Sequence, residues 1–481
     1  MGWGWLLLQA ARLQVAIERA DALGGTAEVR HLKGNVWLRQ DTLRLVCQEA
    51  FLYPDGLFVA QGGTQTFIGT SGTITAQKLS YNPQTHRLTY EGDVVATFPS
   101  ARLSAPILYY DRQQEVLHYE NGVLEDTTGT IQSTYAAYHI STEVATFAKQ
   151  VVLRRGSSQA LTDTLVYFVP RHEAVFPRGL RAWDTLRKDT LQSLFAVWQR
   201  EKQEIFLRDS VTYRNGRRYL EAEALFYNGP KDSGWAFCGL HYRSRLNGFY
   251  AWADTAFWHH DTLRLQTNAA LLLVEKTQEP TFIQAELLQN TDTVLRAAGK
   301  VELMNPPLAL RCDTLHYDTL HKVGYFYGNV WLSDSGFQLW ADYLRVHFGA
   351  GRPDSAFARG NLRVLLLGDS LTYFFHQVQA DSGYAYWGPQ GTLAQVYFHS
   401  RVQAIYYQRG ERGWEGGHYV RAEGLWAQMD SAGQPVYLRL WGKPEGTFYP
   451  ISYALLEKPL WLRGSRWLRV AEQPQWPFLM P

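Results

Sequence analysis

The sequence predicts an all-β fold, an elongated solenoid of stacked two-strand repeats, on three observations. A segment of about 29 residues recurs along the chain, each copy alternates apolar and polar residues with the period of a strand, and the composition favours pleated surfaces over helices.

The recurrence is clearest in Gly34-Asn35-Val36-Trp37-Leu38, which returns as Gly328 to Leu332, 294 residues later. Weaker copies place an apolar residue at Val36, Val94, Val123, Val151, Leu180, Val211, Leu240, Val301, Val330 and Leu362, in steps near 29 or twice 29. An aromatic ladder keeps pace with them: Tyr53, Tyr81, Tyr110, Tyr138, Tyr167, Trp198, Tyr227, Trp258 and Tyr317. Each repeat therefore reads as a strand ending in an aromatic, a polar turn such as Asn82-Pro83-Gln84, and a strand centred on Gly-x-Val. Within a repeat Leu88, Tyr90, Val94, Ala96 and Phe98 share one phase, with Thr89, Asp93, Val95 and Thr97 on the other. A pair of strands cannot bury such a face alone, so neighbouring repeats must stack over one continuous core. About eleven repeats fit between residues 30 and 375, and at one or two layers of ~4.8 Å each the solenoid is on the order of 50 to 100 Å long.

The composition agrees. Trp, Tyr and Phe make up 14% of the 481 residues, and these side chains suit half-buried pleated surfaces. Few windows hold an uninterrupted helical apolar stripe, and no run of about 18 apolar residues exists to span a membrane as a helix.

In chain order, residues 1–22 are expected to be an atypical or clipped secretion signal, with Leu6 to Leu8 as its apolar centre and no basic leader. Residues 23–375 carry the regular repeats. Residues 376–458 continue as less regular strands such as QAIYYQRG and PVYLRLWGK, and the Trp- and Pro-rich residues 459–481 form a tail or cap.

Several function classes lose support. A net charge of +2, from 47 basic and 45 acidic residues, gives no reason to expect nucleic acid. Cys47, Cys238 and Cys312 are odd in number and far apart, so they form neither a disulfide framework nor a metal motif and are expected to pack as small buried groups. No cofactor and no metal site is expected; His259-His260 and His316 with His321 lack the spacing of a recognised metal motif. Gly368-Asp369-Ser370-Leu371 resembles the first block of the GDSL esterases, yet in register Asp369-Ser370 falls where the preceding repeat has its turn Asp334-Ser335. The later Gly-x-Asn-Asp and Asp-x-x-His blocks that an esterase needs are missing, so the chain is read as no enzyme. The Asp-Thr-Leu copies at Asp41, Asp163, Asp184, Asp189, Asp261, Asp313 and Asp318 fall in different registers of the repeat and are read as turn and strand-entry residues.

The segments ITAQKLSYNPQTHRLTYEGDVVATF and RCDTLHYDTLHKVGYFYGNVWLSD resemble the OstA-like repeats of periplasmic lipopolysaccharide-transport proteins. ERADAL near the start and WGKPEGTFYP at 441–450 are similar to the large OstA-like proteins of Bacteroidetes-type bacteria. The resemblance runs from about Gln14 to Pro450. It implies an elongated β-jellyroll, the β-taco, whose two sheets shield lipid A acyl chains in an apolar groove, located in the periplasm with an association to the outer membrane. It implies as partners lipopolysaccharide and other transport jellyrolls docked edge to edge, and a homo-oligomer is open. On that resemblance the groove lining would be Val36, Val94, Ala96, Phe98, Val123, Val151, Leu180, Val211, Leu240, Val301, Val330, Leu332 and Leu362. A structural or adhesive solenoid without a groove, and an outer-membrane β-barrel, stay open as alternatives.

Overall fold

The computed structural model describes residues 15–468, apart from 41–42, 69–71, 100, 127–128, 187, 217, 245–247, 261, 275–279, 350–351, 370–373, 390, 412, 432 and 453–459. The described chain is almost entirely antiparallel strand, with a 3₁₀ turn at Val169–Arg171. It forms two compact bodies, residues 1–216 with 223–230, and 217–222 with 231–481; the strand Arg218–Asn228 contributes to both.

The 29-residue period is a hairpin. Strands of eleven residues such as Gly72–Asn82 and Arg87–Thr97 are joined by turns in which a side chain binds the backbone. Asn82 Oδ1 accepts from the N–H of Gln84 at 2.9 Å, and Asp111 and Asp318 do the same for Gln113 (3.0 Å) and Leu320 (3.0 Å). These turns close on a left-handed residue, His86, Glu115 or Lys322, which returns the chain antiparallel.

The Gly-x-Val centre is a bend within the strand. Gly34-Asn35, Gly92-Asp93, Gly299-Lys300, Gly328-Asn329 and Gly360-Asn361 all have positive φ, and there the register gains one residue over the neighbouring strand, as between Lys33 and Val36. Two successive left-handed residues favour Gly followed by Asn or Asp, which explains the repeated letters. Each bend divides its strand into an arm bearing the aromatic ladder and an arm bearing the valine ladder. In the N-terminal body, Glu173–Phe176 with Leu180–Asp184, and Asp189–Ser193 with Phe195–Gln199, show the same division as a complete break.

Side chains pin the bends. Asn329 Nδ2 donates to Asp313 Oδ2 on the preceding strand at 2.9 Å; Asn35 with Asp21 (2.8 Å), Asn268 with Asp254 (2.8 Å) and Asn361 with Asp342 (2.9 Å) repeat the contact. Arg401 holds Asp381 through Nε at 2.9 and 3.0 Å in the same role.

One face of each arm is buried almost completely, with Leu32, Val36, Ala60, Ile74, Tyr90 and Ala96 all at 0% exposure. Among the described residues no helical layer lies over these strands, so the cover is the other arm, folded back at the bends.

In the C-terminal body a strap crosses the outward face of the valine arm. Gln377 Nε2 donates to the carbonyl of Leu460 at 2.7 Å while its Oε1 accepts from Leu462 N–H at 2.9 Å, and Gln338 grips both backbone groups of Leu468. Phe374, Ile405, Tyr407 and Leu462 form a small core beneath the strap. Beside it the His376 imidazole is 8% exposed, with Nδ1 accepting from Tyr407 N–H at 3.2 Å. Burial pushes its pKa down from 6.5 to about 4, against a smaller opposing effect of Gln434. Between those values the unfolded chain binds a proton that the folded chain refuses. The contribution is complete above pH 6.5, falls as the pH drops towards 4, and amounts to about 3 kcal/mol. Urea midpoints should fall from pH 7 to pH 4.5, with His376→Gln showing a shallower slope; equal slopes would mean the imidazole does not titrate on unfolding.

Candidate binding interior

Most of the valine ladder points into the interior. Val36, Val151 and Val211 are 0% exposed, Val301 and Val330 1%, Val94, Leu240 and Leu362 2%, and Leu180 6%. Ala96 lies beside Val94 in the same phase. In the C-terminal body Leu240, Val301, Val330 and Leu362 belong to one contiguous cluster, and Leu332 packs against it half-buried.

Two expected lining residues sit elsewhere. Val123 points outward at 37% exposure. Its strand lacks the extra bend residue: the inward step from Tyr119 is three residues rather than the four from Tyr90 to Val94, so the slot falls on Gly122. The Tyr119 ring fills the space where a side chain on Gly122 would go, and its OH meets Ser133 Oγ at 3.0 Å. Phe98 lies beyond the end of its strand at Thr97, half-buried against Gly72.

The described interior is apolar, with a few hydroxyl and thiol groups. Cys47 and Cys312 are inward, and burial pushes both thiols up to about 12, so they stay protonated. Cys238, expected to be buried, is exposed, because it takes a left-handed bend position (φ 58°) beside Gly239. Tyr90 OH and Thr66 Oγ1, on opposite arms, face each other outside hydrogen-bond geometry, and burial raises the Tyr90 pKa. Tyr81 OH is likewise buried without an acceptor. Each such orphan costs about 1 to 3 kcal/mol relative to a satisfied group.

A small recess of about 20 Å³, room for about one water molecule, lies between the arms of the N-terminal body. Leu38, Leu43, Leu45 and Thr66 line it from the valine arm, Phe58, Leu79 and Leu88 from the aromatic arm, with Val15 and Arg39 also in its wall. Elsewhere along the ladder the near-zero exposures show the arms in contact.

The other motifs have local roles. Asp163 holds Arg178 at 3.0 Å and Asp313 pins a bend, while Asp184 and Asp318 serve turns. Asp41, Asp261, Ser370 and Leu371 lie outside the described residues, and Asp369 ends a strand paired with Phe374. Among the described residues no three His, Cys, Asp or Glu side chains come together to hold a metal ion. No described helix is long and apolar enough to cross a membrane.

Antiparallel strands folded back at regular bends over an apolar interior define an all-β repeat protein. The family model of OstA-like protein matches residues 12–163 of this chain. Among solved structures the chain is similar to LptH from Pseudomonas aeruginosa, described as the LptA-homologous periplasmic component of the lipopolysaccharide transport device. That match has 16% identity, 21% of this chain and 78% of that chain covered, and a TM-score of 0.20, too low to bear on the fold. No curated protein matches.

Proposed function

We propose that the protein is a periplasmic, non-enzymatic module of lipopolysaccharide transport, whose interior takes the acyl chains of lipid A. The observation that carries this reading is the ladder from Val36 to Leu362, buried within each body except at Val123, together with the OstA-like match at residues 12–163. Each methylene withdrawn from water contributes about 0.8 kcal/mol, so an acyl chain is held by length of apolar wall rather than by any single group. The recess between Leu38 and Leu88 is only water-sized, so an acyl chain must part the arms there as elsewhere along the ladder.

Partners are proposed at the sheet edges. Ala16–Arg19 and Ala22–Gly25 pair on one side only, and so do Pro435–Trp441 and Glu445–Pro450, among the described residues. Their residues are mostly exposed, including Leu23 at 65%, Val436 at 62% and Tyr437 at 55%. Such edges accept a strand from another transport jellyroll or from a second copy. An outer-membrane association is proposed with them.

The test is a photocrosslinking amino acid at Val94 or Val330, with the exposed Thr97 as control, in protein exposed to lipopolysaccharide. Capture at the two inward positions and none at Thr97 is expected. The tight closure of the ladder favours a purely structural solenoid as the second reading, and equal or absent capture at all three positions would establish it.

A further inference from the structure

The outward face of the aromatic arm in the C-terminal body carries a pattern that neither the interior nor the bends require. Strand register aligns one residue from each of thirteen strands into a row that begins at Trp235, passes Arg296, Arg345 and Phe357, and ends at Arg439. A parallel row two residues along starts at Phe237, contains Tyr327, Tyr343 and Arg359, and ends at Trp441. Neither row contains Asp or Glu at any position. The outward face of the valine arm differs: there Arg311 is paired with Glu302 at 3.1 Å, and the strap covers Gln377 and Gln379.

Two cations of the stripe, Arg345 and Arg359, rest on rings instead. Arg345 stands 5.8 Å from the Phe357 ring centre and Arg359 4.9 Å from that of Tyr343, while Phe357 packs on Tyr384 at 4.6 Å. Arg345 Nε is buried with no protein acceptor. Fixed aromatic faces suit the apolar C–H faces of sugar rings, and an Arg without a carboxylate partner suits phosphate or carboxylate. The spacing selects among anions. At about 4.8 Å per strand, Arg264 and Arg296 are roughly 10 Å apart, Arg296 and Arg345 roughly 14 Å, and Arg345 and Arg439 roughly 24 Å, with Arg359 one strand from Arg345 in the second row. A duplex carries a charge every ~1.7 Å, far denser than this stripe, whereas a glycan charged on occasional sugars matches it.

We propose that this stripe binds an oligosaccharide bearing phosphate or carboxylate groups, the head of the same glycolipid whose acyl chains enter the interior. The assignment of that source rests on the carrier reading above. The stripe would then bear the polar half of the cargo on the outer surface of the protein.

The experiment is titration calorimetry on the full chain with the soluble, deacylated, phosphate-bearing oligosaccharide of lipopolysaccharide. A neutral dextran oligosaccharide and a 20-residue oligothymidylate run beside it, each at low and high salt. The phosphorylated probe should bind and weaken with salt, Arg345→Gln with Arg359→Gln should lose about tenfold or more in affinity, and Arg345→Lys should recover part of it. Arg311→Gln, on the other arm, should bind unchanged, and circular dichroism shows whether each variant is folded. Equal affinity for the neutral sugar, preference for the oligothymidylate, or folded Arg345/Arg359 variants that bind as the parent would each overturn the proposal. If the probe binds while lipid capture fails at both Val94 and Val330, the carrier reading and the glycolipid source fall, and the ligand class stands. Lipid capture without probe binding overturns the stripe alone.

Discussion

Val330→Asp is expected to destabilise the C-terminal body by about 4 kcal/mol or more, enough to remove most of a typical domain's stability. Val330 is 1% exposed inside the cluster that joins Leu315, Phe326 and Leu344. A carboxylate there has no cation within the cluster and must be buried charged or buried protonated, and either form costs several kcal/mol. Urea unfolding followed by tryptophan fluorescence would read the loss. Val330→Thr keeps the shape, adds one hydroxyl and should cost only about 1 to 2 kcal/mol. If the Asp variant fell within 1 kcal/mol of the parent, water would have to reach this position, and the dry interior would be refuted.

The second large effect lies at the bend. Gly328→Val should cost about 3 kcal/mol, from two sources. The backbone there has φ +71°, which a β-branched residue adopts poorly, and the new Cβ would stand 2.2 Å from Asp313 Oδ2. Displacing Asp313 also breaks its bond to Asn329. Gly433→Ala is the comparison, since Gly433 has φ +76° and open space around it. It should cost only the backbone part, about 1 kcal/mol. Equal losses at the two sites would show that the Asp313 contact contributes nothing.

How far the sequence could be read follows from which contacts are local. The repeat, the hairpin turns and inward positions such as Val36, Val94 and Val330 are legible, because each depends on residues within one strand and its turn. Val123 was misplaced because alignment by letters hides the absence of one bend residue, and a missing residue exchanges inside for outside. Phe98 was carried past the end of its strand by the same extrapolation.

Asp163 and Asp313 look like the other Asp-Thr-Leu copies, yet they face bends, and the separation is the signal that distinguishes the bend pairs. Asp313 precedes Asn329 by 16 residues, as Asp21 precedes Asn35 by 14. The strap was out of reach, since Gln338 and Leu468 lie 130 positions apart and nothing periodic connects them. The arginine and aromatic rows were also invisible, because the residues of a row are scattered through the chain and only register aligns them.

The bends have a consequence for how such a chain changes length. Most hairpins meet their neighbours through the same one-residue register step and the same inward slots, several with the same amide–carboxylate clip, so removing or duplicating one such 29-residue repeat leaves matching surfaces on both sides of the splice. An insertion of one or two residues enjoys no such continuity. Within a body, reach therefore comes in increments of about 10 Å, two strand spacings at a time, and evolution can adjust it to the width of a compartment by copying DNA segments rather than by redesigning a core.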